Sequence, residues 1–205
     1  MTTSRGCGWS QRAWEHAAMG FHITNDPAAD VVLDEHPLAV VIGMQLDQQY
    51  PIEHAFRGGA KILSRFGSLD PAAIATADPD TFKALCSTPP AIHRFPGAKA
   101  AQVQALARLV DSIYDGDVTR IWTQAKTGTE LHKRLKELPG FGDQTARILL
   151  ALLAKQMGVQ PTGWKAAAGD YALKGYRSVA DVTGPEALVR VREFKKLKKA
   201  KAAAG

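Results

Sequence analysis

Cysteine is almost missing from this 205-residue chain, with Cys7 and Cys86 the only two. Two thiols cannot build a disulfide framework, and they cannot by themselves ligate a four-cysteine zinc or iron–sulfur site. Long apolar runs are missing as well. Pro37 to Met44 and Ile148 to Ala154 are the longest, short of the roughly 18 to 20 residues of a spanning helix. Alternating, β-branched segments are equally scarce, which argues against strands. Met1 to Gly20 carry Arg5, Trp9, Arg12 and Trp14 but no continuous apolar core like that of a secretory signal, and read as a loose extension. A chain of this kind fits a reducing cytoplasm and no membrane.

Hydrophobic residues make up 45% of the chain and charged ones 22%, enough for a real core. The net charge is +6, yet Lys195, Lys196, Lys198, Lys199 and Lys201 supply most of it from a tail without acids. Such a tail can bind polyanions by releasing counterions, or it can simply be a solvated helix end.

Apolar residues recur at helical spacing nearly throughout, so the expected fold is all-α. Asp34 to Pro37 reads as a helix start, with Leu38, Val41, Ile42 and Leu46 as its apolar face. Pro51 ends that helix or restarts the next, Gly58-Gly59 interrupt the pattern, and Gly67 stops it. Asp70-Pro71 and Asp78-Pro79 each look like a cap followed by proline in the first turn. Phe95-Pro96-Gly97 precede a long helix carrying Val103, Leu106, Leu109, Val110 and Ile113. Periodicity fades between Gly158 and Gly184, where a structured loop is expected, with a short helix at Ser178 to Val182. Pro185 then opens a last helix that runs into the lysines. The histidines, His16, His22, His36, His54, His93 and His132, have no zinc-ligand spacing and read as surface or helix-end residues.

Two helices, Thr129 to Leu138 and Asp143 to Met157, are separated only by Pro139-Gly140-Phe141-Gly142. Glycine permits backbone conformations closed to other residues, and its missing side chain lets a phosphate approach the N–H groups of the turn. The helix beginning at Asp143, itself read as a cap, adds the positive end of its dipole. Leu138-Pro139-Gly140-Phe141-Gly142-Asp143-Gln144-Thr145-Ala146 resembles the helix-hairpin-helix motif. With IGMQLDQQ at Ile42 to Gln49 and FPGAKAAQV at Phe95 to Val103, the order and spacing resemble the HhH-GPD superfamily of base-excision DNA glycosylases, the group of endonuclease III and adenine glycosylase. The likeness covers roughly residues 37–182.

The resemblance implies two packed helical subdomains over 21–194, with the hairpin at 129–157 and a Lys-rich tail at 195–205. It implies that Pro139, Gly140, Phe141, Gly142 and Thr145 hold the DNA backbone, with a monovalent cation often bound at the turn. Gln49 matches the family glutamine beside the space left by a flipped base, Gln48 is its alternative, and an ordinary helix-end role is open for both. Bifunctional members carry a nucleophilic lysine where this chain has Gln144, so strand cleavage through lysine is not expected. Lys136, Lys155 and Lys165 read as surface or phosphate contacts. The family aspartate, in a VDTH-like segment, falls here on Pro161-Thr162-Gly163-Trp164. Asp170 is the next acid and the candidate catalytic residue, against a plain loop acid; Asp47 is a weaker candidate. Gln144, Trp164 and Tyr171 could line the base pocket, with core packing an equal role for Trp164. No iron–sulfur cluster and no other cofactor are expected.

These readings converge on a monomeric, nucleoid-associated protein that acts on damaged duplex DNA. A monofunctional N-glycosylase is the leading expectation; a non-catalytic lesion-recognition module is the alternative.

Overall fold

The computed structural model describes residues 20–203, so Cys7 and the first nineteen residues of the expected extension lie outside the described residues. Every regular element among the described residues is helical, and the one β pairing is an isolated bridge between Thr127 and Thr162. The chain is all-α.

Helix α1 spans Pro27–Glu35, capped by the Asp26 side chain, which accepts from the Ala28 and Ala29 amides. This helix lies ahead of the expected start at Asp34. Asp34 is in fact inside it, where its carboxylate accepts from the Phe21 amide at 2.9 Å and ties down the preceding chain. Helix α2, Pro37–Leu46, opens at a His36 cap with no side-chain bond and is buried on all sides from Leu38 onward, not on one face. Such a helix belongs to the middle of a core.

Helices α3, Ile52–Phe56, and α4, Gly58–Phe66, fold back over α2. A Cβ at Gly59 would lie 2.6 Å from that of Ala39, so only glycine allows this crossing. Helices α5, Pro71–Thr76, and α6, Pro79–Ser87, start at Asp70 and Asp78 as expected, each aspartate accepting an amide hydrogen bond. The long α7, Pro96–Tyr114, packs on both. Val103, Leu106 and Val110 face inward, but Ile113 is exposed and not part of that face.

After the short α8, Arg120–Thr123, come α9, Gly128–Lys136, and α10, Asp143–Gln156. Leu149 to Leu153 of α10 are wholly buried and anchor the second half of the core. The stretch expected to be a loop holds α11, Trp164–Ala168, and 3-10 turns at Gly169–Ala172 and Val179–Asp181, the latter closed by a Ser178–Asp181 capping box. Helix α12 runs unbroken from Pro185 to Ala203, so the lysines at 195 and beyond continue a helix docked on the body. No helix among the described residues is long and apolar enough to cross a membrane.

Candidate nucleic-acid interface

Between α9 and α10 the chain reverses over Leu138 to Gly142. Gly140 stands at φ +82°, a left-handed conformation that a β-branched residue resists. Leu138 and Phe141 are buried and pin the turn from below, while Gly140 and Gly142 are exposed, with Pro139 and Thr145 between these extremes. The cap of α10 is Gly142, so no side chain covers the first amides of the helix. Asp143 is therefore not the cap but the first helical residue. Its carboxylate faces Arg147 at 2.7 Å, His132 at 3.2 Å and Lys136 at 3.7 Å, and the Arg147 hydrogen bond holds it below the usual carboxylate range. Three basic groups thus gather on one acid beside uncapped amides, a setting that favours an anion.

The turn is fastened to the rest of the molecule through amides and one lysine. Gln45 Nε2 donates to the Pro139 carbonyl at 2.7 Å and to the Gln102 carbonyl at 3.1 Å. Gln48 Nε2 donates to the Gly140 carbonyl at 2.7 Å. Lys99, buried at 6% exposure, spends its three donors on the Gln45 carbonyl at 3.0 Å, Gln48 Oε1 at 2.8 Å and Gln102 Oε1 at 3.0 Å. The first of these satisfies a carbonyl at the open end of α2. Burial lowers the Lys99 pKa, since its partners are neutral oxygens.

Gln48 and Gln49, indistinguishable in sequence, therefore differ. Gln48 serves the hairpin; Gln49 is exposed at φ +54° and its Oε1 accepts from Arg94. Arg94 in turn lies 4.8 Å from the ring centre of Phe95, which is 59% exposed. Behind them His93 is buried, contrary to its reading as a surface residue. Its Nδ1 accepts from the Phe95 amide at 3.1 Å, which leaves Nε2 to carry the hydrogen toward the Gln48 carbonyl at 3.2 Å. Burial lowers its pKa and keeps the ring neutral.

Sequence reasoning missed Gln45, His93, Arg94, Phe95 and Gln102 as parts of this site. Gln45 did carry a signal, as the one amide within the otherwise apolar α2, and Lys99 lies on the inner face of α7 four residues before Val103.

The remaining candidates form a second group. Gln144 Nε2 donates to the Tyr171 hydroxyl at 2.9 Å, and both line a cavity of about 290 Å³ under α12. Asp170 is exposed on the rim of an adjoining cavity of about 310 Å³, and its carboxylate has no hydrogen bond among the described residues. Asp47 is nearly buried, 3.2 Å from Lys195; burial raises its pKa and Lys195 partly offsets this. Trp164 stands apart, packed against Gly128 at the end of α9 remote from the turn. Lys165 lies over the Trp164 ring, Lys155 pairs with Asp181 at 2.6 Å, and Lys136 belongs to the Asp143 cluster. Among the described residues no group of three His, Cys, Asp or Glu side chains could hold a metal. No protein-family model, curated protein or solved structure matches the chain.

Proposed function

We propose that this chain is a DNA-repair protein of the HhH-GPD kind, binding damaged duplex DNA as a monomer and hydrolysing off a base without a lysine nucleophile. The observation that carries the reading is the joint anchoring of the turn and the exposed Gln49–Arg94–Phe95 group. Gln48 bonds the Gly140 carbonyl with its amide while its own backbone carbonyl faces His93, one residue from Phe95's neighbour Arg94. A turn suited to phosphate and a protruding amide-plus-aromatic group are thereby held in one frame. Phosphate contacts set register, and an apolar ring pushed between base steps helps offset unstacking. Asp170 supplies the carboxylate within reach of water for stabilising charge on the sugar, and Gln144 and Tyr171 line the space for the base.

A monovalent cation at the turn would share the Pro139 and Gly140 carbonyls with the glutamine amides that bond them, each oxygen keeping a second lone pair. The lesion-recognition module without chemistry draws support from one specific feature: among the described residues no hydrogen bond orients the Asp170 carboxylate, whereas catalytic groups are held in place by their neighbours.

The deciding experiment is base release from duplexes carrying uracil, oxidised purines and pyrimidines, alkylated purines or mismatched adenine, with and without hot alkali. Strand breaks only after alkali establish a monofunctional glycosylase. Tight binding to an abasic-analogue duplex with no release from the panel shifts the assignment to the module; equal binding to damaged and intact duplex rejects both.

A further inference from the structure

The two adjoining cavities beneath α12 share the side chains of Tyr171, Arg177, Phe194 and Lys198. Each ring already carries a cation, Lys198 Nζ lying 5.6 Å from the centre of Tyr171 and the Arg177 guanidinium 5.7 Å from that of Phe194. Lys195 closes the first cavity and is matched in charge by Asp47. Among the described residues no carboxylate lies within ion-pair distance of the Arg177 or Lys198 side chains; Asp170, on the rim of the second cavity, is the nearest acid in its lining. Gln144 Nε2 gives one hydrogen to Tyr171 and retains another. The walls are thus flat rings, surplus positive charge and hydrogen-bond donors.

We infer that this cavity takes a base presenting carbonyl oxygens or negative charge, that is, an oxidised or deaminated base, and rejects a ring-alkylated base with a fixed positive charge. The inference rests on the base-extrusion reading above. Arg177, Lys198 and the spare Gln144 hydrogen are donors with no acceptor to offer in return, so carbonyl oxygens are complementary to them. A neutral ring brings no charge into a cavity whose Tyr171 and Phe194 rings already carry Lys198 and Arg177. A cationic ring competes with Lys198 and Arg177 for the same ring faces and meets like charge at short range. A phosphate would suit the same donors, and the test separates the two sources.

The full-length chain is titrated into duplexes bearing one 2′-fluoro nucleotide, which blocks hydrolysis so that binding alone is read. The bases are uracil, 8-oxoguanine and 7-methylguanine, with a tetrahydrofuran abasic analogue and an undamaged duplex as references. The 8-oxoguanine and uracil duplexes are expected to bind at least tenfold tighter than the 7-methylguanine duplex. Lys198→Met and Arg177→Met should each shrink that ratio to under threefold while leaving tetrahydrofuran binding within about twofold, and circular dichroism checks that both variants are folded. Equal affinity for the two purines, or preference for 7-methylguanine, overturns the inference while leaving lesion binding intact. Loss of the tetrahydrofuran preference over undamaged duplex instead removes the reading beneath it. Inorganic phosphate that competes equally against both purine duplexes in the native chain, but no longer does so in Lys198→Met and Arg177→Met, assigns the cavity to a phosphate and also overturns it.

Discussion

The anchor beneath the hairpin and the cavity under α12 are built in opposite ways. In the anchor, Gln45 and Lys99 are buried while Gln48, Gln102 and Pro139 are partly exposed, and the Lys99 ammonium and the Gln45 and Gln48 amides donate to backbone or side-chain oxygens at 2.7 to 3.1 Å. In the cavity, Asp170 is exposed with no hydrogen bond among the described residues, and Lys195 and Lys198 reach in on long, exposed stems. A network whose donors are nearly all engaged admits few arrangements, because others leave further polar groups unpaired in low dielectric; among the described residues Gln45 Oε1 is already buried there without a partner. A wall of exposed side chains admits several. On the proposed reading, the grip on DNA would be preorganised in the protein, while the base contacts would await the ligand.

Removing the centre of the anchor should break this contrast most severely. Lys99→Met strands three oxygens at once, and unfolding in urea should report a loss of about 3 kcal/mol. DNA affinity should fall with it, by fluorescence anisotropy. Gly140→Val forces a β-branched residue to φ +82° on an exposed turn, a strain of about 1 to 3 kcal/mol. Its binding to duplex should weaken more than tenfold at low salt, and unchanged binding would take the hairpin out of the interface.

The two neighbouring glutamines sharpen the comparison within a single dipeptide. Gln48→Leu frees the Gly140 carbonyl and one Lys99 donor, for a loss of about 1 to 2 kcal/mol. Gln49→Leu, exposed, should leave stability within about 0.5 kcal/mol yet reduce the preference for abasic over intact duplex. Equal effects of the two on stability would contradict the division of labour between them.

His93 gives the anchor a pH dependence. Burial lowers its pKa below the ordinary 6.5, so the unfolded chain binds this proton more readily than the folded one. Stability should accordingly fall between pH 7 and pH 5.5 as protonation removes the acceptor of the Phe95 amide. Asp47 works in the opposite sense but at lower pH, since its raised pKa favours the folded state as pH drops through the carboxylate range. Urea midpoints at the two pH values, in the native chain and in His93→Gln, check this: the variant should lose most of the slope. The smallest effect on stability belongs to Asp170→Asn, within about 0.5 kcal/mol for an exposed side chain without a hydrogen bond among the described residues. If that variant releases bases at the native rate, Asp170 has no part in the chemistry.

Legibility in the sequence followed the range of the interactions. Asp70-Pro71, Asp78-Pro79 and Gly67 marked helix ends correctly because a cap and a left-handed glycine act over a few residues. Helix α1 was missed because its Asp26 cap and Pro27 start precede a stretch whose apolar face is short; the helix entry read over Asp34 to Pro37 is that of α2, which starts at Pro37, while Asp34 itself serves Phe21. Trp164, read as a base-pocket residue, packs against Gly128, a contact that no spacing rule contains.

Composition, periodicity and local turn chemistry were enough by themselves to make this chain all-helical, with two helices joined by a glycine turn at 139–142. Those properties arise between residues a few positions apart, where the chain's own geometry dictates the neighbours. Only the tertiary structure decided that Gln48 faces the hairpin and Gln49 the solvent, that Lys99 is the buried hub joining Gln45 and Gln48 to α7, and that α12 lays Lys195 against Asp47. Each of those pairings joins residues far apart in the chain, selected by the packing of helices and by the penalty on an unpaired polar group in the core.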